Sequence, residues 1–347
     1  MSISDSKANF ERIGIVGPGA IGLMHAIHMA QSGLPVTLLD HRKSRARRLS
    51  GGIALQKPAT EGQAEVVRLQ VPCRASHLVK EPFNLLIFTV KSQSTLKAVE
   101  GAKHLITPET VLVSLQNGLG NVETLQQHQQ PELVLAAVTT SGATLHDEHT
   151  VVERGFGTIT VGSPAGNMPL AEQVAALFAG AQLPAEAVED IWPVVWRKLA
   201  VNCAVNPLTA LLDVENGLLL DAPVRHLMGE VALEVGEVAK AVGIDIEPKA
   251  LPRAVEEVCK LTGHNISSML QDVRAGLNTE VDQLNGAVAR AAEKVGMKAP
   301  LNMALAALVK AQLWRRERGE QERRRQVEER REQRRQKREP SSLENAS

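Results

Sequence analysis

Aromatic residues are nearly missing from this 347-residue chain: they make up 2% of it, and there is no tyrosine. A core must therefore be built from Ala, Val, Leu and Ile, and the 44% hydrophobic content is ordinary for a globular protein. Three cysteines, Cys73, Cys203 and Cys259, are too few and too scattered for a disulfide framework or a zinc knuckle. The histidines are spread without a metal-ligand spacing, so no metal is expected. No apolar run approaches the roughly 20 residues of a membrane span. The opening MSISDSKANFERIGIV lacks a basic segment followed by an apolar one. These lacks argue against secreted, membrane-spanning and fibrous classes, and a cytoplasmic location without a membrane partner is expected.

Net charge is also lacking, since 39 basic residues balance 39 acidic ones, but the balance is uneven along the chain. Residues 315–339 hold 12 Lys/Arg and 7 Asp/Glu, a net of +5, which leaves −5 on the remainder. This segment is almost free of apolar residues and has little to bury. Its opposite charges three and four apart suit a solvated helix. The interspersed acids dilute its field, so a nucleic-acid partner is not expected.

What is present has a clear order. Short apolar runs at 12–16, 36–39, 85–90, 111–115 and 133–138 alternate with helical stretches, the pattern of a parallel sheet covered on both faces. Runs at 150–153 and 158–161, flanking Gly155 and Gly157, suggest a hairpin at the sheet edge. From Trp192 to about Arg318 apolar residues recur at helical spacing. The expected fold class is α/β: a Rossmann-type dinucleotide-binding domain over 1–180, an all-helical C-terminal domain over 181–318, and a charged, solvated or disordered tail over 319–347.

The sequence IGIVGPGAIG places Gly17, Gly19 and Gly22 at G-x-G-x-x-G spacing between the first strand and the first helix. Each glycine has a task there: a tight turn, close approach of backbone to a pyrophosphate, and close helix–strand packing. The helix N-terminus adds free N–H groups for the phosphates, so Gly17, Pro18, Gly19, Ala20, Ile21 and Gly22 are expected to cradle a dinucleotide. Asp40, 23 residues after Gly17, stands where an acid takes the ribose hydroxyls of NAD. His41, Arg42, Lys43 and Arg45 form a basic cluster suited to the 2′-phosphate of NADP. The residues alone leave both cofactors open.

The segment WPVVWRKLAVNCAVNPLTALL puts Lys198, Asn202 and Asn206 at i, i+4 and i+8, on one face of an otherwise apolar helix. A lysine there is costly unless it is used, and partial burial would make it a proton donor near neutral pH. Asn216, Ser267, Ser268, Asp272 and Glu280 are further candidates for the same cleft. Lys91 and Gln116-Asn117-Gly118 follow strand runs, where open α/β sheets bind ligands.

Together, VGPGAIG, TVKSQ, QNGLGN, WRKLAVNCAVNPLTA, ENG, NISSMLQD and TEVDQLNG, spread over about residues 12–312, resemble the ketopantoate reductase (2-dehydropantoate 2-reductase) family. The resemblance implies reduction of 2-dehydropantoate to pantoate with NADPH, in the cleft between a Rossmann and a helical domain. It implies Lys198 as general acid, and Asn117, Lys198, Asn202, Asn206, Asn216 and Ser268 as substrate-binding residues. It places Lys91, Asn117, Ala143 and Glu280 with the cofactor, beside the glycine loop. His41 occupies the place where the family usually has an arginine, and Arg42 follows it; both are taken as cofactor residues. A reductase of another 2-oxo acid and a non-catalytic NADP-binding regulator are the competing readings, and a homodimer is allowed.

Overall fold

The computed structural model describes residues 10–58, 65–155, 157–221 and 223–336. The apolar runs of the first half become strands β1 (Ile13–Val16), β2 (Val36–Asp40), β3 (Ile53–Gln56), β4 (Val66–Leu69), β5 (Cys73–Ala75), β6 (Leu85–Phe88), β7 (Val111–Ser114) and β8 (Val134–Thr139). Four more follow: β9 (Gly142–Leu145), β10 (Thr150–Gly155), β11 (Ile159–Gly162) and β12 (Ala185–Ala187). Eight of them form one sheet in the order β12-β11-β8-β7-β6-β1-β2-β5. Every neighbouring pair is parallel except β11 with β8. The strands β1, β6, β7 and β8 are buried at every residue, as expected of parallel strands covered on both faces.

The remaining strands form a smaller sheet, β4-β3-β10-β9, which corrects the hairpin expected around Gly155 and Gly157. The two runs lie in different sheets: β10 pairs with β3 and β9, whereas β11 pairs with β8 and β12. The chain passes between the sheets twice at one crossing. A Cβ on Gly157 would lie 2.3 Å from Thr140 Oγ1, and the Gly157 N–H donates to Ser141 Oγ at 3.0 Å. That close approach, and not a hairpin turn, is what the glycine serves.

Helices α1 (Ala20–Gln31), α2 (Lys43–Leu49), α3 (Thr95–Ala102), α4 (Asn121–Gln126) and α5 (Met168–Gly180) belong to the sheet region. One apolar cluster joins α1, α5 and both sheets, and another fills the opposite face of the large sheet. From residue 192 the structure is helical: α6 (Trp192–Leu212), α7 (Val224–Ala241), α8 (Leu251–Leu261), α9 (Ser268–Ala275), α10 (Asn285–Lys294) and α11 (Pro300–Gln336). They enclose a separate core of Leu, Val, Ala and Met with one tryptophan, Trp196. The charged run does not begin a new element; it continues α11 to Gln336. Among the described residues, no helix is long and apolar enough to cross a membrane.

The spine of the helical region is α6, which packs on α7, α8, α9 and α11. Pro207 lies inside it and cannot donate to the carbonyl of Cys203, one turn back. Asn285, fully buried at the start of α10, donates to that carbonyl at 2.9 Å and to Asn302 Oδ1 at 2.9 Å. Asn302 in turn donates to Glu234 Oε1 at 2.8 Å. Replacing Asn285→Ala orphans these groups, a loss of about 1–3 kcal/mol in stability. A thermal melt several degrees below wild type is the expected result, and an unchanged melt would show that Pro207 needs no compensation.

Candidate active site at the seam between sheet and helices

The glycine turn joins β1 to α1, and its three glycines face three different surroundings. Gly17 has φ +100, and a Cβ there would meet the backbone nitrogen of Val90 at 2.8 Å. On Gly22 a Cβ would sit 2.4 Å from the Gly17 carbonyl oxygen and 2.6 Å from Thr89 Oγ1. Gly19 would meet nothing within 4 Å. Two glycines are thus filled against Thr89 and Val90, just past β6, and against the turn itself, while the third leaves backbone open, the cradle a pyrophosphate requires. Beside the turn, β2 ends at Asp40, which is followed by exposed His41 and half-exposed Arg42.

Beyond β6 and β7 the connecting loops are fixed by side-chain hydrogen bonds. Gln116 donates to the Val90 carbonyl at 2.9 Å and to Thr95 Oγ1 at 2.7 Å. Asn121 donates to the Asn117 carbonyl at 2.9 Å and accepts from Thr95 Oγ1 at 2.8 Å. Gly118, at φ +81, is pressed on the helical region: a Cβ there would lie 2.4 Å from the Gln283 carbonyl oxygen.

Two acids of the helical region meet these loops. Glu280, 6% exposed, accepts from the Ser92 N–H at 2.9 Å and from Asn117 Nδ2 at 3.5 Å. Asp272 accepts from Lys91 Nζ at 2.7 Å, and that ammonium also lies 4.0 Å from Glu280. Burial pushes the Asp272 carboxyl above its ordinary value and Glu280 adds to the rise, while Lys91 opposes both.

On α6, Lys198 donates to the Thr139 carbonyl at the end of β8, at 2.7 Å. Burial lowers its ammonium to about 8, against the pull of the Glu280 charge. Lys198, Asn202 and Asn117 line one cleft with Trp192 and Val195. Among the described residues, neither the Asn202 nor the Asn206 side chain has a hydrogen-bond partner, although Asn206 is only 6% exposed. The arrangement offers one proton donor of lowered pKa and, on the same helix face, two unengaged amides.

The expected site residues therefore divide. Lys91, Asn117, Lys198, Asn202 and Glu280 converge on the seam. Asn206 continues their line along α6. Asn216 lies on a short turn against α8, donating to Thr262 Oγ1 at 3.0 Å with its own oxygen buried and unpartnered. Ser268 stands exposed at the first position of α9, beside Ser267, whose buried hydroxyl caps that helix and meets Thr209 Oγ1 at 2.6 Å. Ala143 is on β9 opposite Glu153, outside the cleft lining. Sequence reasoning singled out neither Thr139 nor Thr209, although Thr209 lies within WRKLAVNCAVNPLTA. Among the described residues, no group of three or more His, Cys, Asp or Glu is placed to hold a metal ion.

A largely parallel sheet with an open glycine turn, facing a helical region that contributes an isolated lysine, marks an oxidoreductase of the Rossmann type. The chain belongs to the ketopantoate reductase family: the profile "Ketopantoate reductase PanE/ApbA" matches residues 13–166, and its "C terminal" counterpart matches 190–313. A Halobacterium salinarum 2-dehydropantoate 2-reductase is 33% identical over 86% of this chain and 98% of its own length. One from Pyrococcus horikoshii is 35% identical over 86% and 97%. A crystal structure of a PanE/ApbA family ketopantoate reductase from Ralstonia eutropha has a TM-score of 0.78 at 27% identity, covering 88% of this chain and 99% of that one. D-mandelate dehydrogenase bound to NADH and anilino(oxo)acetate shares the fold, with a TM-score of 0.82 at 24% identity and coverage of 87% and 98%.

Gly22→Ala tests the turn. A methyl group pressed on the Gly17 carbonyl is expected to cost the roughly 1–3 kcal/mol of an overpacked core site and to lower Tm by several degrees. A wild-type melt would show that the turn yields freely.

Proposed function

We propose that this protein reduces 2-dehydropantoate to pantoate with NADPH, within pantothenate biosynthesis, as a cytoplasmic enzyme. The observation that carries the reading is Lys198 at the seam, with the Asn202 and Asn206 amides unengaged in line with it. Relatives 33–35% identical over nearly their full length bear the name of that activity.

The nicotinamide, when bound, supplies the hydride; the residues of this chain do the rest. As the C2 ketone oxygen gains negative charge, Lys198 donates a hydrogen bond to it and then gives up a proton. General acid catalysis of this kind is worth roughly 10²–10⁴-fold. Thr139 holds the ammonium in place, and Glu280 favours its charged form. Asn202 and Asn206, with Asn216 and Ser268, orient the carboxylate and hydroxyl of the substrate. Lys91 and Asn117 serve the nicotinamide end, and Gly17, Pro18, Gly19, Ala20, Ile21 and Gly22 hold the pyrophosphate. Arg42, aided by His41, takes the 2′-phosphate; the backbone at Ala143 is the weakest member of the set, lying off the cleft.

Purified protein is to be assayed by NADPH oxidation with 2-dehydropantoate and a panel of other 2-oxo acids. A phenyl-substituted acid belongs in the panel because D-mandelate dehydrogenase shares the fold. Turnover highest with another acid would reassign the substrate. A kcat/KM advantage of NADPH over NADH is expected, and the reverse would overturn the cofactor assignment.

Lys198→Ala is expected to keep the fold and dinucleotide binding while losing about 10²–10⁴-fold in kcat. The acid form of Lys198 is the working one, and it is lost as pH rises through about 8. Reduction should therefore decline above pH 8, and that limb should vanish in the variant. Near wild-type turnover in Lys198→Ala would remove the lysine as proton donor.

A further inference from the structure

The end of β2 holds an arrangement that the mechanism above does not use. Asp40 is 2% exposed, and both of its oxygens are engaged. Oδ1 accepts from the Arg42 backbone N–H at 2.7 Å and from Arg42 Nε at 3.3 Å. Oδ2 accepts from Arg45 Nη1 at 2.7 Å. The other arm of Arg45, Nη2, donates at 2.6 Å to the carbonyl of Pro18, inside the glycine turn. Arg45 is itself 9% exposed, and its Nε lies 3.3 Å from Glu148. Glu148 also receives both arms of a fork from Arg48, each at 2.7 Å.

This placement changes what the acid can do. A carboxylate at the end of the second strand accepts ribose hydroxyls only if its oxygens are free to receive them. Here the protein fills those positions with charge-assisted hydrogen bonds, and the surroundings hold Arg42, Arg45 and Arg48 against Asp40 and Glu148. A buried ion pair of this kind contributes little by its existence, but removing one partner strands the other charge. Two things hang on Asp40: the orientation of half-exposed Arg42, and through Arg45 the position of Pro18.

We propose that Asp40 and Arg45 form a clamp that aims Arg42 at a 2′-phosphate and braces the glycine turn, so that Asp40 is a positioning residue for the phosphorylated dinucleotide and not a reader of the unphosphorylated ribose. The proposal rests on the reading of the glycine turn as a dinucleotide site. It reverses the sign usually given to an acid at this place: deleting its charge should weaken, not strengthen, binding of a 2′-phosphate.

The test is direct binding, by calorimetry, of adenosine 2′,5′-bisphosphate, NADPH and NADH to the full chain and to Asp40→Asn and Arg45→Lys, with thermal melts of each. Asp40→Asn should bind adenosine 2′,5′-bisphosphate about tenfold more weakly, the scale of one charge-assisted hydrogen bond. Its loss for NADPH should exceed its loss for NADH, a ratio that a merely structural weakening would leave unchanged. Arg45→Lys keeps the charge but cannot bridge Asp40 and Pro18 with two arms, so it should show the same ratio change; it also serves if Asp40→Asn does not fold. Unchanged or tighter binding of the bisphosphate by both variants overturns the clamp while leaving the family reading intact. Wild-type protein that binds NADH but not the bisphosphate overturns the NADPH assignment, and the clamp with it.

Discussion

One buried carboxylate, Glu280, ties the two halves of the site together. It accepts from the N–H of Ser92 and the amide of Asn117, both on loops of the sheet region, and its charge reaches Lys91 and Lys198. A carboxylate 6% exposed needs its oxygens hydrogen-bonded, and these donors supply that. Its demand for donors brings the helical region against the ends of β6 and β7. The same charge opposes the desolvation of Lys198, keeping that ammonium near 8 when burial alone would drive it lower. Glu280 thus both bridges the seam and moderates the acidity that burial gives the proton donor.

The parts of the architecture legible in the sequence are those written in local periodicity. The buried parallel strands read as continuous apolar runs, the turn at Gly17–Gly19–Gly22 as fixed spacing, and the face of α6 as a polar residue every fourth place. The small sheet was not legible, because its strands are short and partly polar, and the pairing that joins its two local pairs, β3 with β10, spans a long separation. Strand β3 pairs with β10 about a hundred residues away, and β4 is largely exposed. No local pattern distinguishes such segments from loop, and the hairpin expected at 150–161 failed because alternation says nothing of which sheet a strand joins.

The same limit applied at the site. The sequence set Asp40 against a basic cluster as if the two were rivals for the cofactor. In the fold they are one bonded unit, since a helix turn brings Arg45 back under Asp40 and against Pro18. Likewise nothing near Pro207 announces that its missing hydrogen bond is replaced by Asn285, because the donor comes from another helix. Contacts of long sequence separation carry this information, and they appear only when the chain is folded.

Hydrogen-bond satisfaction separates structural amides from working ones without reference to any motif. Buried amides are normally engaged. Asn121 bonds at both ends, to Thr95 and to Ser92 and Asn117, and Asn302 bonds to Asn285 and Glu234. Asn285 and Gln312 leave an oxygen unpartnered, yet each anchors its nitrogen to a carbonyl of α6. Asn206 differs from them: the residue is 6% exposed, yet neither end of its amide is engaged among the described residues, and its polar atoms stay open to solvent. Two turns along from Lys198, on the same face, that open amide fits the substrate-orienting role proposed for it.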